Sequence, residues 1–264
     1  MKSISSKKLK GNITIPGDKS ISHRLVILSS ISIGKSTIKG ILKSDDIMKS
    51  INVMRSFGAS IDFTSSNNCV IRGIGLGGLE EPQSALDFGN SGTSARLIMG
   101  LSSTHPITTI FTGDDSLSMR PMKRVVKPLL NFGSNSSLRK DNFLPLILKG
   151  TDNSIPFNYK LSEPSAQIKS AVLLGALNTP GVTTVIDKFN TRDHTEKLLS
   201  LYGAEINISK KNCMKKISIK GVKDLNAIKT NVPGDPSSAL FPIIAALICK
   251  GSNILVKNVM INPT

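Results

Sequence analysis

The chain has 264 residues, of which 39% are hydrophobic, so it is long enough to bury one large core or two of medium size. Its composition therefore argues against disorder. Lys and Arg outnumber Asp and Glu by 34 to 18, and the net charge of +16 favours an acidic partner: a nucleic acid, a membrane surface or a phosphorylated small molecule. Only 4% of residues are aromatic, which argues against a base-stacking surface, and no apolar run is long enough to span a membrane.

Four turns of small residues, each carrying a serine, precede apolar stretches along the chain. The serines are separated by 71, 74 and 72 residues, and they are Ser20, Ser91, Ser165 and Ser237. A period of this length indicates a supersecondary unit repeated within the chain. Because a helix N-terminus carries free N–H groups and a partial positive charge, each of these turns is a candidate anion site.

The hydrophobic pattern predicts the same elements after each turn. The first helices are predicted at 22–31, 93–102, 166–177 and 238–249. Strands follow at 36–38, 108–110, 183–185 and 253–255, and second helices at 45–57, 122–132 and 193–202. Gly58, Gly133 and Gly203 follow the second helices, where a left-handed residue is expected. Two closing strands follow each second helix, and one strand precedes each turn, at 12–15 in the first unit. Each unit is therefore βαβαββ.

The fourth repeat stops after its first helix and strand. Its helix at 238–249 is strongly apolar, and an apolar face of that size needs a partner to cover it. We therefore expect the chain to be a truncated form of a longer protein. The alternative is that the fourth repeat is a cap, although the outer face of a cap is normally polar.

Other motifs favour structural interpretations. The segment 73–78 matches GxGxxG by its letters, but Pro82 follows where a dinucleotide site requires a helix, so a turn is predicted. Three histidines lack the spacing of metal ligands, and no metal site is predicted: His23, His105 and His194. Three cysteines in apolar contexts are predicted to be buried reduced thiols, typical of a cytoplasmic protein: Cys69, Cys213 and Cys249.

Cations and small residues accompany three of the helix starts. Lys19 and Arg24 bracket the first, where Ser20 adds a hydroxyl, and a charged hydrogen bond there contributes about 1.5–3 kcal/mol. Gly92 leaves room for a ligand at the second start, and Arg120 precedes a helix that begins with Pro121. The third start carries neutral groups, Ser165, Ala166 and Gln167. Each alone is consistent with an ordinary cap beside solvated cations, whereas several in register indicate convergent anion binding.

Six segments together resemble the family of 3-phosphoshikimate 1-carboxyvinyltransferase, or EPSP synthase. They are PGDKSISHR, GNSGTSARLIMG, GDDSLSMRPM, EPSAQIKSA, TRDHTE and VPGDPSSA, and they follow the family's order over essentially the whole chain. The resemblance implies an α/β repeat fold, an inverse α/β barrel-like domain of three βαβαββ units plus the start of a second. It places the complete domain at 19–233, and assigns 1–18 and 234–264 to the second domain.

The resemblance also implies a reaction, in which the enolpyruvyl group of phosphoenolpyruvate moves to the 5-hydroxyl of shikimate 3-phosphate without metal or organic cofactor. By motif match, shikimate 3-phosphate would be bound by Lys19, Ser20, Arg24, Ser165, Ala166, Gln167 and Arg192. Phosphoenolpyruvate would be bound by Lys19, Gly92, Arg120 and Gln167. Lys19 is the implied catalytic residue. The full-length protein is expected to be a cytoplasmic monomer that binds neither nucleic acid nor membrane.

The resemblance is incomplete, because the family's carboxylate base, a further Lys and two Arg residues belong to a part that this chain lacks. The isolated chain is therefore expected to show no appreciable turnover. Two other functions remain open. A UDP-N-acetylglucosamine enolpyruvyltransferase shares the fold but typically carries a reactive Cys in the loop that is 113–122 here, where none occurs. A basic RNA-binding or RNA-processing module of related repeats would also fit the charge.

Overall fold

The computed structural model describes residues 8–211 and 214–262, which form an α/β fold. The helices are α1 (Lys19–Ser30), α2 (Asp45–Ser56), α3 (Gly92–Ser102), α4 (Asp115–Ser118), α5 (Lys123–Leu129), α6 (Ala166–Leu177), α7 (His194–Leu201) and α8 (Pro236–Ile248). The strands are β1 (Lys10–Thr14), β2 (Ser32–Lys39), β3 (Ser60–Phe63), β4 (Asn68–Ile74), β5 (Leu86–Asp87), β6 (Thr108–Thr112), β7 (Asn135–Arg139), β8 (Phe143–Lys149), β9 (Asn158–Lys160), β10 (Val182–Asp187), β11 (Glu205–Lys211), β12 (Met214–Lys220), β13 (Leu225–Asn226), β14 (Lys229–Asn231) and β15 (Asn253–Lys257).

Three sheets share one topology, which confirms the predicted repeat. In the second unit the strand order is β5-β6-β8-β7, and in the third it is β9-β10-β12-β11. In both sheets the short outer strand runs parallel to its neighbour, and the remaining pairs are antiparallel. The first sheet has the same arrangement around β2, β4 and β3.

The outer strand of the first sheet does not come from 12–15, so that part of the unit-one prediction is wrong. The position beside β2 is taken by β13 and β14, which lie parallel to it, with Lys229 opposite Thr37. The backbone groups of β1 pair instead with β15 in a separate two-stranded parallel sheet, with Lys10 opposite Asn253. The end of the third unit thus completes the first sheet, a long-range pairing that a linear repeat does not reveal.

One glycine recurs at the same place in each unit and requires the absence of a side chain. A Cβ atom on Gly73 would lie 2.0 Å from the carbonyl oxygen of Ser32. The equivalent glycines of the other units would each meet a backbone carbonyl at the same 2.0 Å, Gly150 at His105 and Gly221 at Thr179. Each closing strand therefore crosses the end of its unit's first helix at backbone contact, which a larger residue would prevent.

Most predicted elements match the structure closely. The α6 prediction is confirmed at both ends, while α1 begins three residues earlier than predicted because Asp18 is its N-cap, accepting a hydrogen bond from Ile21 N at 2.7 Å. Helix α5 begins at Lys123, and a 3₁₀ turn at Leu130–Phe132 continues it. The predicted left-handed glycines are confirmed, with φ of 101°, 103° and 82° at Gly58, Gly133 and Gly203.

Helix α8 leaves most of its apolar surface exposed. Phe241 is 80% exposed and Leu247 78%, and Ala239 is the residue of this helix that is buried. No helix in the described ranges is long and apolar enough to cross a membrane. Cys69 is buried, and burial raises the pKa of its thiol to about 11, but Cys249 is only half-buried, so its predicted burial is wrong. Cys213 lies outside the described residues.

Candidate anion-binding site

A cavity of about 520 Å³ lies where the first and fourth serine turns meet. Backbone hydrogen bonds join the turns, from Asp18 N to Pro233 O at 2.8 Å and from Asp235 N to Pro16 O at 2.9 Å. The cavity is lined by Asp18, Lys19, Ser20, Thr93, Arg192, His194, Asp235, Pro236, Ser237, Met260 and Asn262. Two helix N-termini, those of α1 and α8, therefore contribute to one cavity, and both favour a negatively charged ligand.

Lys19, the first residue of α1, contributes an exposed cation to this cavity. Its Nζ donates to Asp46 Oδ2 at 2.9 Å, and its side chain is 53% exposed. An ion pair as exposed as this contributes at most about 1 kcal/mol, so an anionic ligand can compete for the ammonium at low cost. Ser20 also lines the cavity. Because Asp18 caps the helix, the Ser20 hydroxyl is not needed for capping.

Arg24 is buried behind Ser20 and is not among the residues that line the cavity. Its Nη1 donates to Ser20 O at 3.0 Å, its Nε to Thr195 Oγ1 at 2.7 Å and its Nη2 to Ser170 Oγ at 3.0 Å. Burial lowers the pKa of Arg24 to about 10, while the negative charge of Glu196 opposes this shift, so the guanidinium is charged at neutral pH. Its orientation is thus fixed by α6 and α7.

Arg192 lies on the loop between β10 and α7 and lines the cavity. His194, two residues later, lines the same cavity, and its Nε2 lies 2.8 Å from Asn262 Nδ2. Burial, together with the charge of Arg24, lowers the pKa of His194. The cavity therefore contains the cations Lys19 and Arg192, with the charge of Arg24 behind it, and the carboxylates of Asp18 and Asp235, which accept capping hydrogen bonds from Ile21 N and Ser237 N.

Two further arginines meet beside Gly92, at the start of α3. A Cβ atom at Gly92 would lie 3.0 Å from Arg96 Nη1 and 3.3 Å from Arg120 Nη1. Arg120 is held by Asn90 and by the Ser116 hydroxyl at 3.2 Å. Burial, followed by the charges of Arg124 and Arg120, lowers the pKa of Arg96 to about 10. Two guanidinium groups converging over a residue without a side chain favour a compact anion there.

Gln167 connects this arginine pair to the cavity. Its Oε1 accepts a hydrogen bond from Arg96 Nη1 at 2.8 Å, and its Nε2 donates to Thr93 Oγ1 at 3.0 Å. Ser165 is the N-cap of α6, accepting from Ile168 N at 3.3 Å, and Ala166 is the first helical residue. The second and third helix starts thus meet through side-chain contacts, as the prediction of convergence requires.

Two parts of this arrangement are not among the sequence-based predictions. Arg96 ends the motif at the second helix start but was assigned to no ligand, although it lies four residues after Gly92 and therefore on the same face of α3. The turn of α8 was not expected to line the same cavity as Lys19, and this depends on pairing between residues more than 200 positions apart. The first omission had a sequence signal in the helical spacing, whereas the second did not.

Comparison with known proteins agrees with this fold. The family model for EPSP synthase (3-phosphoshikimate 1-carboxyvinyltransferase) matches residues 4–264. The chain belongs to the EPSP synthase family. Among curated relatives, the 3-phosphoshikimate 1-carboxyvinyltransferase of Novosphingobium aromaticivorans is 48% identical over 257 residues, and that of Chelativorans sp. is 50% identical over 261.

The alignments cover nearly all of this chain but only part of its relatives. They include 97% and 98% of the chain, whereas the chain spans 58% of the length of either relative. The solved EPSP synthase of Acinetobacter baumannii superposes with a TM-score of 0.89 at 37% identity, covering 97% of this chain and 57% of that structure. The fold is therefore that of EPSP synthase over the matched portion.

Proposed function

We propose that this chain carries the shikimate 3-phosphate site of an enzyme that transfers the enolpyruvyl group of phosphoenolpyruvate to the 5-hydroxyl of that substrate, releasing phosphate. The observation that carries the proposal is the convergence of Lys19, Ser20 and Arg192 on one cavity that two helix N-termini also face. A phosphate monoester is the ligand that such a set of donors and positive charges favours. The relatives are named for carboxyvinyl transfer and for 3-phosphoshikimate as the substrate.

The arginine pair beside Gly92 is the proposed position of phosphoenolpyruvate. Arg96 and Arg120 supply two guanidinium groups for its phosphate or carboxylate, and Gln167 lies between this pair and Thr93 of the cavity. Lys19 is the residue to which we assign catalysis, since it is an exposed cation at the cavity whose partner, Asp46, holds it only through a surface ion pair. Ala166, the first residue of α6, would present its backbone N–H group to shikimate 3-phosphate, and Ser165, the N-cap before it, is the second proposed contact from this helix start.

The proposal includes a division into domains. Residues 19–233 would form one complete domain of three units, and 1–18 with 234–264 would belong to a second. The parallel pairing of β1 with β15, apart from the three unit sheets, supports this division. The complete protein would act as a monomer in the cytoplasm, and the free thiols of Cys69 and Cys249 are compatible with a reducing compartment.

The proposal is tested by calorimetric titration of the 264-residue chain with shikimate 3-phosphate. We expect one binding site. Lys19→Ala should weaken binding at least tenfold, since it removes one of the two cations that line the cavity. Asp46→Asn should leave binding unchanged or stronger, because it releases Lys19 from its ion pair. Lys250→Ala, at an exposed lysine just beyond α8, removes the same charge far from Lys19 in sequence and should leave affinity unchanged.

Two results would contradict the proposal. One is equal loss of affinity in Lys19→Ala and Lys250→Ala, which would indicate attraction by net charge alone. The other is the absence of shikimate 3-phosphate binding together with tight RNA binding that weakens steeply with salt, as expected for a nucleic-acid-binding module. Tight binding of UDP-N-acetylglucosamine instead would favour the other enolpyruvyl transferase.

A further inference from the structure

A buried ion cluster lies next to the candidate site, and no assigned role accounts for it. Lys169, in the first turns of α6, has no exposed side-chain surface. Its Nζ donates to Asp187 Oδ2 at 3.1 Å and to Thr191 O at 3.2 Å, and it lies 2.6 Å from Glu196 Oε1. Two hydrogen bonds and one ion pair therefore surround the ammonium group. Burying three charges costs several kcal/mol of desolvation per ion, so a cluster that served packing alone would be replaceable by apolar side chains.

Asp187 uses its other contacts to fix the loop that carries Arg192. Its Oδ1 accepts from Phe189 N at 2.9 Å, and its Oδ2 accepts from Thr191 N at 3.0 Å and from Thr191 Oγ1 at 2.7 Å. Burial would raise the pKa of this carboxyl, but the hydrogen bonds and the Lys169 charge outweigh it and hold the pKa below its usual value. With Lys169 bonded to Thr191 O, both backbone groups of the residue before Arg192 are anchored.

Glu196 pairs the Lys169 ammonium with the first turn of α7, and the same turn carries a hydrogen-bond partner of Arg24. Thr195 accepts from Arg24 Nε, and Ser170, adjacent to Lys169 on α6, accepts from Arg24 Nη2. The two hydroxyls also contact each other at 2.6 Å. The Lys169–Glu196 pair therefore fixes the distance between the two elements that orient the Arg24 guanidinium.

We propose that the buried Lys169–Asp187–Glu196 cluster is the positioning element that sets Arg24 and Arg192 for anion binding. The cluster itself does not line the cavity, and its members act through the loop 188–193 and the start of α7. Arg24 and Arg192 belong to different units and are 168 positions apart in sequence. The Lys169 ammonium contacts the residue before Arg192 and the helix turn that hydrogen-bonds Arg24. The inference rests on the proposed function for the identity of the anion, but not for the geometry.

The test uses Asp187→Asn in the 264-residue chain. The Asn side chain has one accepting oxygen where Asp187 has two, so the loop loses at least part of the hydrogen bonds that Phe189 and Thr191 donate to Asp187. We expect amide hydrogen exchange at Thr191 to become at least tenfold faster and shikimate 3-phosphate affinity to fall about tenfold, which corresponds to about 1.4 kcal/mol. The matched control is Leu146→Ala, at a residue with no exposed surface in the second unit. It should lower the midpoint of urea unfolding without selectively changing exchange at Thr191 or affinity.

If Asp187→Asn does not fold, Thr191→Val is the second variant. It removes the hydroxyl that donates to Asp187 while keeping the shape of the side chain. Amide exchange at Thr191 should then become about threefold faster, and the affinity for shikimate 3-phosphate should fall about threefold. Unchanged exchange at Thr191 in the folded variant would overturn the proposal, as would faster exchange with unchanged affinity. If the unaltered chain fails to bind shikimate 3-phosphate, the proposed function fails, while the exchange measurement still decides whether the cluster anchors the loop.

Discussion

Helices α6 and α8 occupy similar positions in their repeats but have opposite environments. Both follow a serine turn, both begin at a side-chain N-cap, Ser165 or Asp235, and both are apolar along most of their length. In α6 every residue from Ile168 to Leu177 is buried, whereas in α8 burial is confined to Ala239. Local sequence therefore specifies the helix, but the neighbouring units decide whether its apolar residues stabilise the fold.

The largest expected difference between the two helices concerns leucine truncation. Leu173→Ala in α6 should lower the free energy of unfolding by about 2–5 kcal/mol, because Leu173 has no exposed surface and its loss leaves a cavity. Leu247→Ala in α8 removes the same atoms from a side chain that is 78% exposed, so the change should stay within about 0.5 kcal/mol. Urea unfolding followed by circular dichroism measures both. Equal losses would show that α8 is packed in solution.

The next effect concerns pH, because the buried helices contain titratable groups and α8 contains none. His23 in α1 is buried, with its Nδ1 2.7 Å from Ser50 Oγ. Burial lowers its pKa from 6.5 to about 3; the negative charge of Asp46 opposes this, and the charges of Arg24 and Lys19 add to it. The unfolded chain therefore binds a proton between pH 6.5 and 3 that the folded chain does not.

Stability should accordingly fall as the pH falls below 6.5. The contribution of His23 is about 2 kcal/mol between pH 6.5 and pH 5, from about 1.4 kcal/mol per pH unit. His194, whose pKa is also lowered, adds in the same direction. Urea unfolding across this range should show a shallower pH dependence in His23→Gln than in the unaltered chain. The same slope in both would mean that His23 is accessible to solvent.

The smallest expected effect concerns the start of α3. Gly92→Ala would place a methyl group 3.0 Å from Arg96 Nη1 and 3.3 Å from Arg120 Nη1, so both guanidinium groups would have to shift by a few tenths of an ångström. We expect phosphoenolpyruvate binding to weaken about tenfold, or about 1.4 kcal/mol, since bidentate contacts depend on geometry. Gly77→Ala is the control, because no heavy atom lies within 4 Å of its added Cβ. Titration calorimetry with shikimate 3-phosphate present compares the two; equal affinities would remove Gly92 from the site.

Sequence patterns predicted most of the fold because the repeat is local. Helix α6 was predicted at both ends, and the glycines after the second helices adopt the expected conformation. The helix starts and their cations were also visible, since each lies within one short segment. The errors concern pairing in three dimensions. The outer strand beside β2 comes from the end of the third unit and not from 12–15, whose strand β1 pairs with β15.

The same limit applies to the site. Lys19, Ser20 and Arg192 were predicted together and line one cavity, but Arg24 lies behind it. The role of Lys169 was invisible, because a lysine inside an apolar helix gives no indication of the two carboxylates that approach it from β10 and α7. Resemblance identified the residues of the short motifs, whereas the contacts that hold those residues required the folded structure.

The central claim is that phosphorylated anions bind at the helix starts rather than over the basic surface in general. The direct measurement is to map amide chemical-shift changes of the 264-residue chain as shikimate 3-phosphate is added. Changes centred on Lys19, Ser20, Ala166, Gln167 and Arg192 are the predicted result. Changes centred on the lysine-bearing strands β11 and β12, with those helix starts unaffected, would contradict it.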